Sequence, residues 1–390
     1  MNGRRVAVTG LGVVASCGLG PDAFWEGLLG EPPPGDRRVT SFDPSRWFGP
    51  KEARRTDRFA QFAVAAAAMA LDDAGPVGAD PDRCGVIIGS GVGGLETLEK
   101  QIVICHTKGP DRVSPFLVPM MMANAGAASV SMRFGWRGPC ETTVTACAAG
   151  THAIANAARL VASGVIDAAL TGGSEAALTP SGIAGFTNMT ALSSSGISRP
   201  FDVERDGFVI AEGGAVLVLE ALDAAQTRGA RIYGEILGSG SSADAHHITA
   251  PDPDGGGAVR CMEVALADAG MTPGDIRQIN GHGTSTALND AAEAEAIAKV
   301  FGAPGPPVTS TKGVTGHALG AAGALEAVAV LLSIDRRLIP PTAGLVTLDP
   351  ELTIDAVYGA PRPWEPGPTL SNSFGFGGHN GCLVMAPVTS

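Results

Sequence analysis

Four short stretches of this chain concentrate side chains that can attack, protonate or polarise a bound molecule. The first, TVTACAAGTH from Thr143 to His152, sets one thiol, Cys147, among very small residues. At a helix start, unsatisfied backbone N–H groups and the macrodipole favour negative charge, so a thiol there is expected to ionise more easily than free cysteine, whose pKa is about 8.5. The second, NGHGTSTALND, holds His282 between glycines and ahead of the hydroxyl-bearing Thr284, Ser285 and Thr286, which suit a polar ligand arm. The third, STKGVTGHALGAAGALEA, supplies Lys312, His317 and Glu326. An ammonium in a loop of small apolar residues needs a carboxylate, Glu326 is the nearest in sequence, and such a pair tunes the protonation of a neighbouring histidine. The fourth, LSNSFGFGGHNGCLV, presents Phe376 between Gly375 and Gly377-Gly378, a bulky ring on a flexible hinge that suits a gate. Taken singly, each has a bland reading: a buried small residue, a structural loop histidine, a surface lysine, a hairpin turn.

These residues need elements to position them. Short β-rich runs (RRVAVTGLG, CGVIIGSG, AALTGGSE, Ala215 to Leu222) alternate with alanine-rich helical runs (Pro21 to Leu29, Phe59 to Ala74, Cys147 to Ser163), the pattern of layered α/β proteins. The pattern restarts at RIYGEILGSG, continues through a helix over Ala258 to Ala269 and closes on GCLVMAP, so the chain reads as two similar halves meeting near residues 225 to 235. In each half a loop of tiny residues opens a buried helix, one carrying Cys147 and the other His317. With 45% hydrophobic but only 5% aromatic residues, packing is expected to rest on close approach of helices and strands.

The formal charge of −12 argues against nucleic acid and against an anionic membrane surface. No apolar run is long enough to span a bilayer, the N-terminal residues have no signal-peptide core, and cytoplasmic residence is the expectation. Seven scattered cysteines make no disulfide framework and no zinc spacing, and the adjacent His246 and His247 read as a polar loop pair. Gly10-x-Gly12-x-x-Ala15 follows a strand as a dinucleotide fingerprint would, but no helix begins inside it and no nucleotide site is expected.

Taken in order, TACAAG, NGHGTST, STKGVTGHALGAAGALE and NSFGFGGHN resemble the active-site segments of β-ketoacyl-acyl carrier protein synthases of the elongating, malonyl-condensing type, and the resemblance covers nearly the whole chain. It implies a thiolase-like α/β fold of two similar halves, residues 1–230 with the nucleophile and 231–390 with the two histidines, in a five-layer αβαβα arrangement. It makes Cys147 the acceptor of an acyl chain from acyl carrier protein and His282 and His317 the pair that promotes malonyl decarboxylation. Lys312 and Glu326 then set the electrostatics, with Asp290 and Glu293 as supporting acids, and the backbone N–H groups of Cys147 and Phe376 hold the oxyanion. Thr284 and Thr286 fall where hydroxyls contact the phosphopantetheine arm; Ala146, Phe186, Leu117, Leu319 and Phe376 fall where the acyl pocket is lined. No cofactor is implied, but Asn280, Glu326, Ser371 and Asn380 match oxygen-bearing positions that hold a structural Na+ or K+ in some relatives. Lys51, Arg54, Arg55, Arg58, Lys108 and Arg112 match carrier-docking positions, which reconciles the acidic chain with an acidic carrier protein.

The resemblance also implies a homodimer. Two departures, the short segment ALSSSGISRPFD and Thr190 where many fatty-acid synthases of this type carry a basic residue, recur in polyketide-type relatives and leave the pathway open. The alternative is therefore a type II polyketide ketosynthase paired with a non-identical chain-length partner. The non-catalytic partner itself typically lacks the cysteine. A degradative thiolase normally uses one histidine and a second cysteine near the C-terminal glycine-rich loop, whereas Cys382 lies past that loop and reads as packing.

Overall fold

In the computed structural model, residues 3–389 are described. The first half contains β1 (Val6–Ala15), β2 (Cys84–Gly89), β3 (Cys140–Thr143), β4 (Ala168–Glu175) and β5 (Gly213–Ala221). The second contains β6 (Gly234–Ala243), β7 (Gln278–Asn280), β8 (Pro307–Thr309), β9 (Thr369–Gly375) and β10 (His379–Ala386). The principal helices are α1 (Pro21–Leu28), α2 (Arg58–Ala74), α3 (Leu95–Lys108), α4 (Ala125–Phe134), α5 (Ala149–Ala162), α6 (Pro180–Asn188), α7 (Gly256–Ala269), α8 (Ala287–Phe301) and α9 (Ala322–Arg336).

The strands run in the order β3-β2-β4-β5-β1 in one half and β8-β7-β9-β10-β6 in the other. Parallel and antiparallel pairings fall at the same places: β2 lies parallel to β3 and β4 as β7 does to β8 and β9, while the pairs nearer the junction are antiparallel. The arrays join where β1 meets β6, through Ala7 opposite Glu235 and Val8 opposite Gly234.

Alternation along the inner strands creates the layers. In β5, Val216 and Val218 pack into a cluster with Phe59 and Phe62 of α2, while Leu217 and Leu219 point the other way, into a cluster with Ile154 and Val161 of α5 and Val328 and Leu331 of α9. β10 repeats this: Leu383 and Met385 join the α5/α9 cluster, and Cys382 and Val384 face Cys261, Met262 and Leu266 of α7. Each such side chain contributes about 1.5–3 kcal/mol when fully buried, and a strand buried on both faces must be apolar throughout. The layers are therefore α2/α4, the first array, α5/α9, the second array, and α7/α8, in agreement with the expected five-layer αβαβα arrangement.

Low aromatic content has a visible use. A Cβ on Gly12 would sit 1.9 Å from the carbonyl oxygen of Ala66, so α2 rests on β1 backbone to backbone. β1 runs unbroken through the Gly10-x-Gly12 motif, which supplies packing and no nucleotide turn. Element boundaries differ from the sequence expectation mainly at Cys147: a 3-10 turn over Ala146–Ala148 precedes α5, so the thiol sits on the turn that leads into the helix.

Candidate active site

Each half aims one reactive side chain with a strained turn. Ala146 has φ 48°, in the left-handed region disfavoured for residues with a Cβ, and throws Cys147 off the end of β3's loop onto α5. Leu319 has φ 46° at the equivalent turn, Leu319–Ala321, which leads into α9. His317 stands two residues before that turn, its backbone pinned by bonds to Val209 (2.8 Å) and Ala211 (3.0 Å). The two turns bring His317 Nε2 to 2.9 Å from Cys147 Sγ.

His282 follows β7. Its N–H and that of Gly283 both donate to the Glu293 carboxylate on α8, at 2.7 Å each, and Asp290 accepts from Phe201 N–H (2.8 Å) and Ser285 N–H (3.2 Å). The two expected supporting acids thus act on backbone, holding the histidine loop. Rings of His282 and His317 lie 5.3 Å apart, nearly perpendicular, and one ligand atom each from Cys147, His282 and His317 lie within 4.8 Å of one another.

Lys312 Nζ donates to Glu326, to the His282 carbonyl oxygen (2.6 Å), and toward His282 Nδ1 (3.3 Å). An ammonium has no lone pair to offer, so Nδ1 accepts and the His282 proton resides on Nε2. Both imidazoles are held well below their usual range, by burial and then by the Lys312 charge, and are neutral. Glu326 is pushed up to about 7 by burial, with Lys312 pulling it down.

The thiol departs from expectation. Burial raises Cys147 to about 12, outweighing the Lys312 charge and the Phe376 N–H that favour thiolate, so Cys147 rests protonated despite its place at a helix start. Phe376, in the β9–β10 hairpin, points its N–H at this sulfur. The hairpin comes that close because Gly375 precedes it: a Cβ there would lie 3.1 Å from both Cys147 N and Thr145 O. The Phe376 ring stands 6.4 Å from that of Phe186, which in turn packs on Phe208.

A cavity of about 660 Å³ opens onto the three reactive groups and is also lined by Ala146, Phe186, Thr284, Thr286, Leu319 and Phe376. Leu117, expected in the acyl pocket, is not on this wall; it begins a short helix, Leu117–Met121. Asn280 and Ser371 do meet, on paired strands, at 3.2 Å, and Glu326 Oε2 has no hydrogen-bond partner among the described residues. An orphan buried carboxylate oxygen suits a monovalent cation; the Asn380 amide nitrogen donates to Asp244 (2.7 Å) and Ser242 (3.3 Å), which leaves its oxygen as the group that could join such a set.

Of the basic residues, Lys51, Arg54, Arg55, Lys108 and Arg112 are exposed, and Arg55 lies 4.3 Å over the Phe116 ring. Arg58 is not available for docking. It is the first residue of α2 and its guanidinium grips the buried Glu212 (2.6 Å) and the Val39 carbonyl.

Sequence reasoning missed Glu175, which ends β4 with a fully buried carboxylate. A single acid closing the run AALTGGSE was the available signal. Phe208 was also missed; its ring packs edge-on to His317 at 5.2 Å.

Comparison with known proteins follows the same division. The family model for the β-ketoacyl synthase N-terminal domain matches residues 34–225, and that for the β-ketoacyl synthase C-terminal domain matches 233–346. The chain belongs to the β-ketoacyl synthase family. A β-ketoacyl synthase relative from Synechocystis sp., named 3-oxoacyl-[acyl-carrier-protein] synthase 2, is 46% identical with 98% of each chain covered. Among solved structures, the ishigamide ketosynthase/chain length factor superposes with TM-score 0.95 at 33% identity, covering 99% of this chain and all of that one. The type II polyketide ketosynthase AntDE, solved with its acyl-carrier protein AntF, gives 0.90 at 34% identity over the full length of both. No helix among the described residues is long and apolar enough to cross a membrane.

Proposed function

We propose that this β-ketoacyl synthase catalyses decarboxylative condensation, extending an acyl chain by two carbons at the expense of malonyl-acyl carrier protein. The carrying observation is the 2.9 Å contact between His317 Nε2 and Cys147 Sγ beside a second neutral histidine, at the floor of a cavity. The resting thiol is protonated, so His317 takes its proton as sulfur attacks the incoming thioester; the acyl chain passes to Cys147 and the carrier thiol leaves with a proton. Malonyl-carrier protein then enters. His282 donates its Nε2–H to the thioester oxygen, joined by His317 in its Nε2–H tautomer, which becomes free to form once the acylated sulfur has no proton to donate, and the charge left by departing CO2 is held as an enolate. Its carbon attacks the Cys147 thioester, the oxyanion is held by the Cys147 and Phe376 N–H groups, and Cys147 leaves as a thiolate as 3-oxoacyl-carrier protein forms; a proton from solvent, delivered through His317, restores the resting thiol.

Lys312 fixes the His282 tautomer, and Thr284 and Thr286 contact the phosphopantetheine arm. The wall of Ala146, Phe186 and Leu319 receives the chain. A cation beside Glu326 would neutralise the carboxylate oxygen that Lys312 leaves bare. Lys51, Arg54, Arg55, Lys108 and Arg112 dock the carrier protein, the complex with AntF being the supporting precedent.

We infer a homodimer from the free outer edge of β3, the exposed Val144 that follows it and the exposed Ile102 and Val103 of α3, apolar surface and an open strand edge that call for a covering partner. The division into residues 1–230 and 231–390 and a cytoplasmic location belong to the same reading. The second reading, a polyketide ketosynthase with a non-identical partner, is favoured by the ishigamide ketosynthase/chain length factor superposition. Purified protein given octanoyl- and malonyl-carrier protein should form octanoyl-Cys147, CO2 and 3-oxodecanoyl-carrier protein. Absence of the acyl-enzyme would overturn the proposal, and a second subunit co-purifying from its host would select the polyketide reading.

A further inference from the structure

Just past the nucleophile, α5 carries a third histidine that none of these steps uses. His152 is 9% exposed, with Nδ1 2.8 Å from Thr145 Oγ1 and Nε2 3.1 Å from the main-chain oxygen of Asn380. Thr145 immediately precedes Ala146 and Cys147; Asn380 is the second residue of β10, four residues past Phe376. The imidazole therefore spans the two segments that supply the Cys147 and Phe376 N–H groups, one from each half of the molecule.

The bonding leaves a single tautomer. A carbonyl oxygen only accepts, so Nε2 carries the proton. Burial pushes the ring below its usual range, so it is neutral, and Nδ1 accepts from the Thr145 hydroxyl. The fit is close: a Cβ on Gly381 would lie 3.0 Å from Nε2. A second tie runs beside it, Thr151 Oγ1 to Ser373 Oγ at 2.7 Å, joining α5 to β9. Asn380 in turn holds Asp244. Both ring nitrogens are thus committed to the two loops, one to each.

We propose that His152 is a positioning residue for the oxyanion hole, setting the separation between the Cys147 N–H and the Phe376 N–H. The role rests on the condensing reaction proposed above. It separates the two half-reactions, because the hole serves acylation and condensation, whereas the enolate oxygen formed by decarboxylation is held by His282 and His317.

The test uses the full chain with octanoyl- and malonyl-carrier protein. Single-turnover acylation of Cys147 is followed by mass spectrometry, and CO2 release from malonyl-carrier protein is measured without an acyl donor. His152→Ala should slow acylation by roughly ten- to a hundredfold, the cost of a small misplacement of a stabilising donor. CO2 release should stay within about threefold of the unaltered protein. Thr145→Val, nearly isosteric and free of the cavity left by His152→Ala, should slow acylation by a smaller factor with the same sparing of decarboxylation. His152→Gln, which restores a donor to Asn380, should recover part of the rate. Equal loss of both half-reactions, or undiminished acylation in Thr145→Val and His152→Ala, would overturn the role. If the unaltered protein performs neither half-reaction, the condensing reading falls and this role falls with it.

Discussion

The turn that carries Cys147 and the turn at Gly320 are one device built twice, and only one copy is open. Each begins with a non-glycine residue at positive φ, Ala146 at 48° and Leu319 at 46°, continues as a single 3-10 turn and feeds a central helix. Cys147 and Gly320 hold the same place in the two turns. In the first, the strand β9 ends in the Phe376 hairpin, and the N–H groups face a cavity. In the second, the matching strand β4 ends in Glu175, whose carboxylate lies where a reaction oxyanion would. It accepts from Gly320 N–H (3.1 Å), Gly91 N–H (2.5 Å), Val92 N–H (3.3 Å) and the Ser90 hydroxyl (3.2 Å). Backbone donors converging on one point bind an anion wherever it comes from. A reacting site must leave them for the substrate, while the idle copy is filled by the Glu175 carboxyl group, which ties Gly320 to the Ser90–Val92 loop.

The largest effect should come from disabling the open copy. Cys147→Ala should reduce condensation by at least about a thousandfold while leaving the melting temperature nearly unchanged, because no other group can carry the acyl chain. Residual elongation near the original rate would remove the nucleophile from the comparison.

Disabling the filled copy should alter stability and its pH dependence. Burial raises Glu175 to about 7, above the ordinary 4.5, so its stabilising contribution is fully present below pH 4.5 and is lost as pH rises through 7. With complete burial the swing is on the order of 3 kcal/mol. Glu175→Gln should remove much of this decline between pH 4.5 and 8 in guanidinium unfolding, leaving that of Glu326, which is raised the same way. An unchanged slope would mean that the carboxylate is not held as described.

A third substitution sharpens which groups serve the open copy. His282→Ala should lower malonyl decarboxylation by about a hundredfold but slow acylation of Cys147 less than tenfold, since of the two histidines it is His317 that is hydrogen-bonded to the thiol. Equal losses would merge the two histidine roles. The smallest effect concerns access: reversing Arg54 and Arg55 to Glu should raise KM for acyl-carrier protein about tenfold with kcat little changed, and less so at high salt. An unaltered KM would move the docking surface elsewhere.

Much of the open copy was legible in the sequence because its residue types are rare in company: one cysteine among alanines, histidines between glycines, a phenylalanine on a glycine hinge. The filled copy was not, because a glycine that binds a carboxylate looks like any other glycine. Long-range partners were equally hidden. Arg58 reads as one of four clustered cations, yet its partner Glu212 is 154 residues away. Asn380 matched a pattern of oxygen ligands, but its neighbours Asp244 and Ser242 come from the end of another strand. The state of the thiol turned on burial, and no local pattern reports how completely a turn will be covered.

The joint between the halves carries a consequence for any attempt to divide the protein. β1 and β6 share only the pairs Ala7–Glu235 and Val8–Gly234, yet α5 and α9 each pack against strands of both arrays. Cutting the chain at residues 228–233 would give fragments each with one greasy face stripped of its cover. They would be poor folders apart and would regain activity only by complementation, so a chimera of two relatives must take both central helices from one parent.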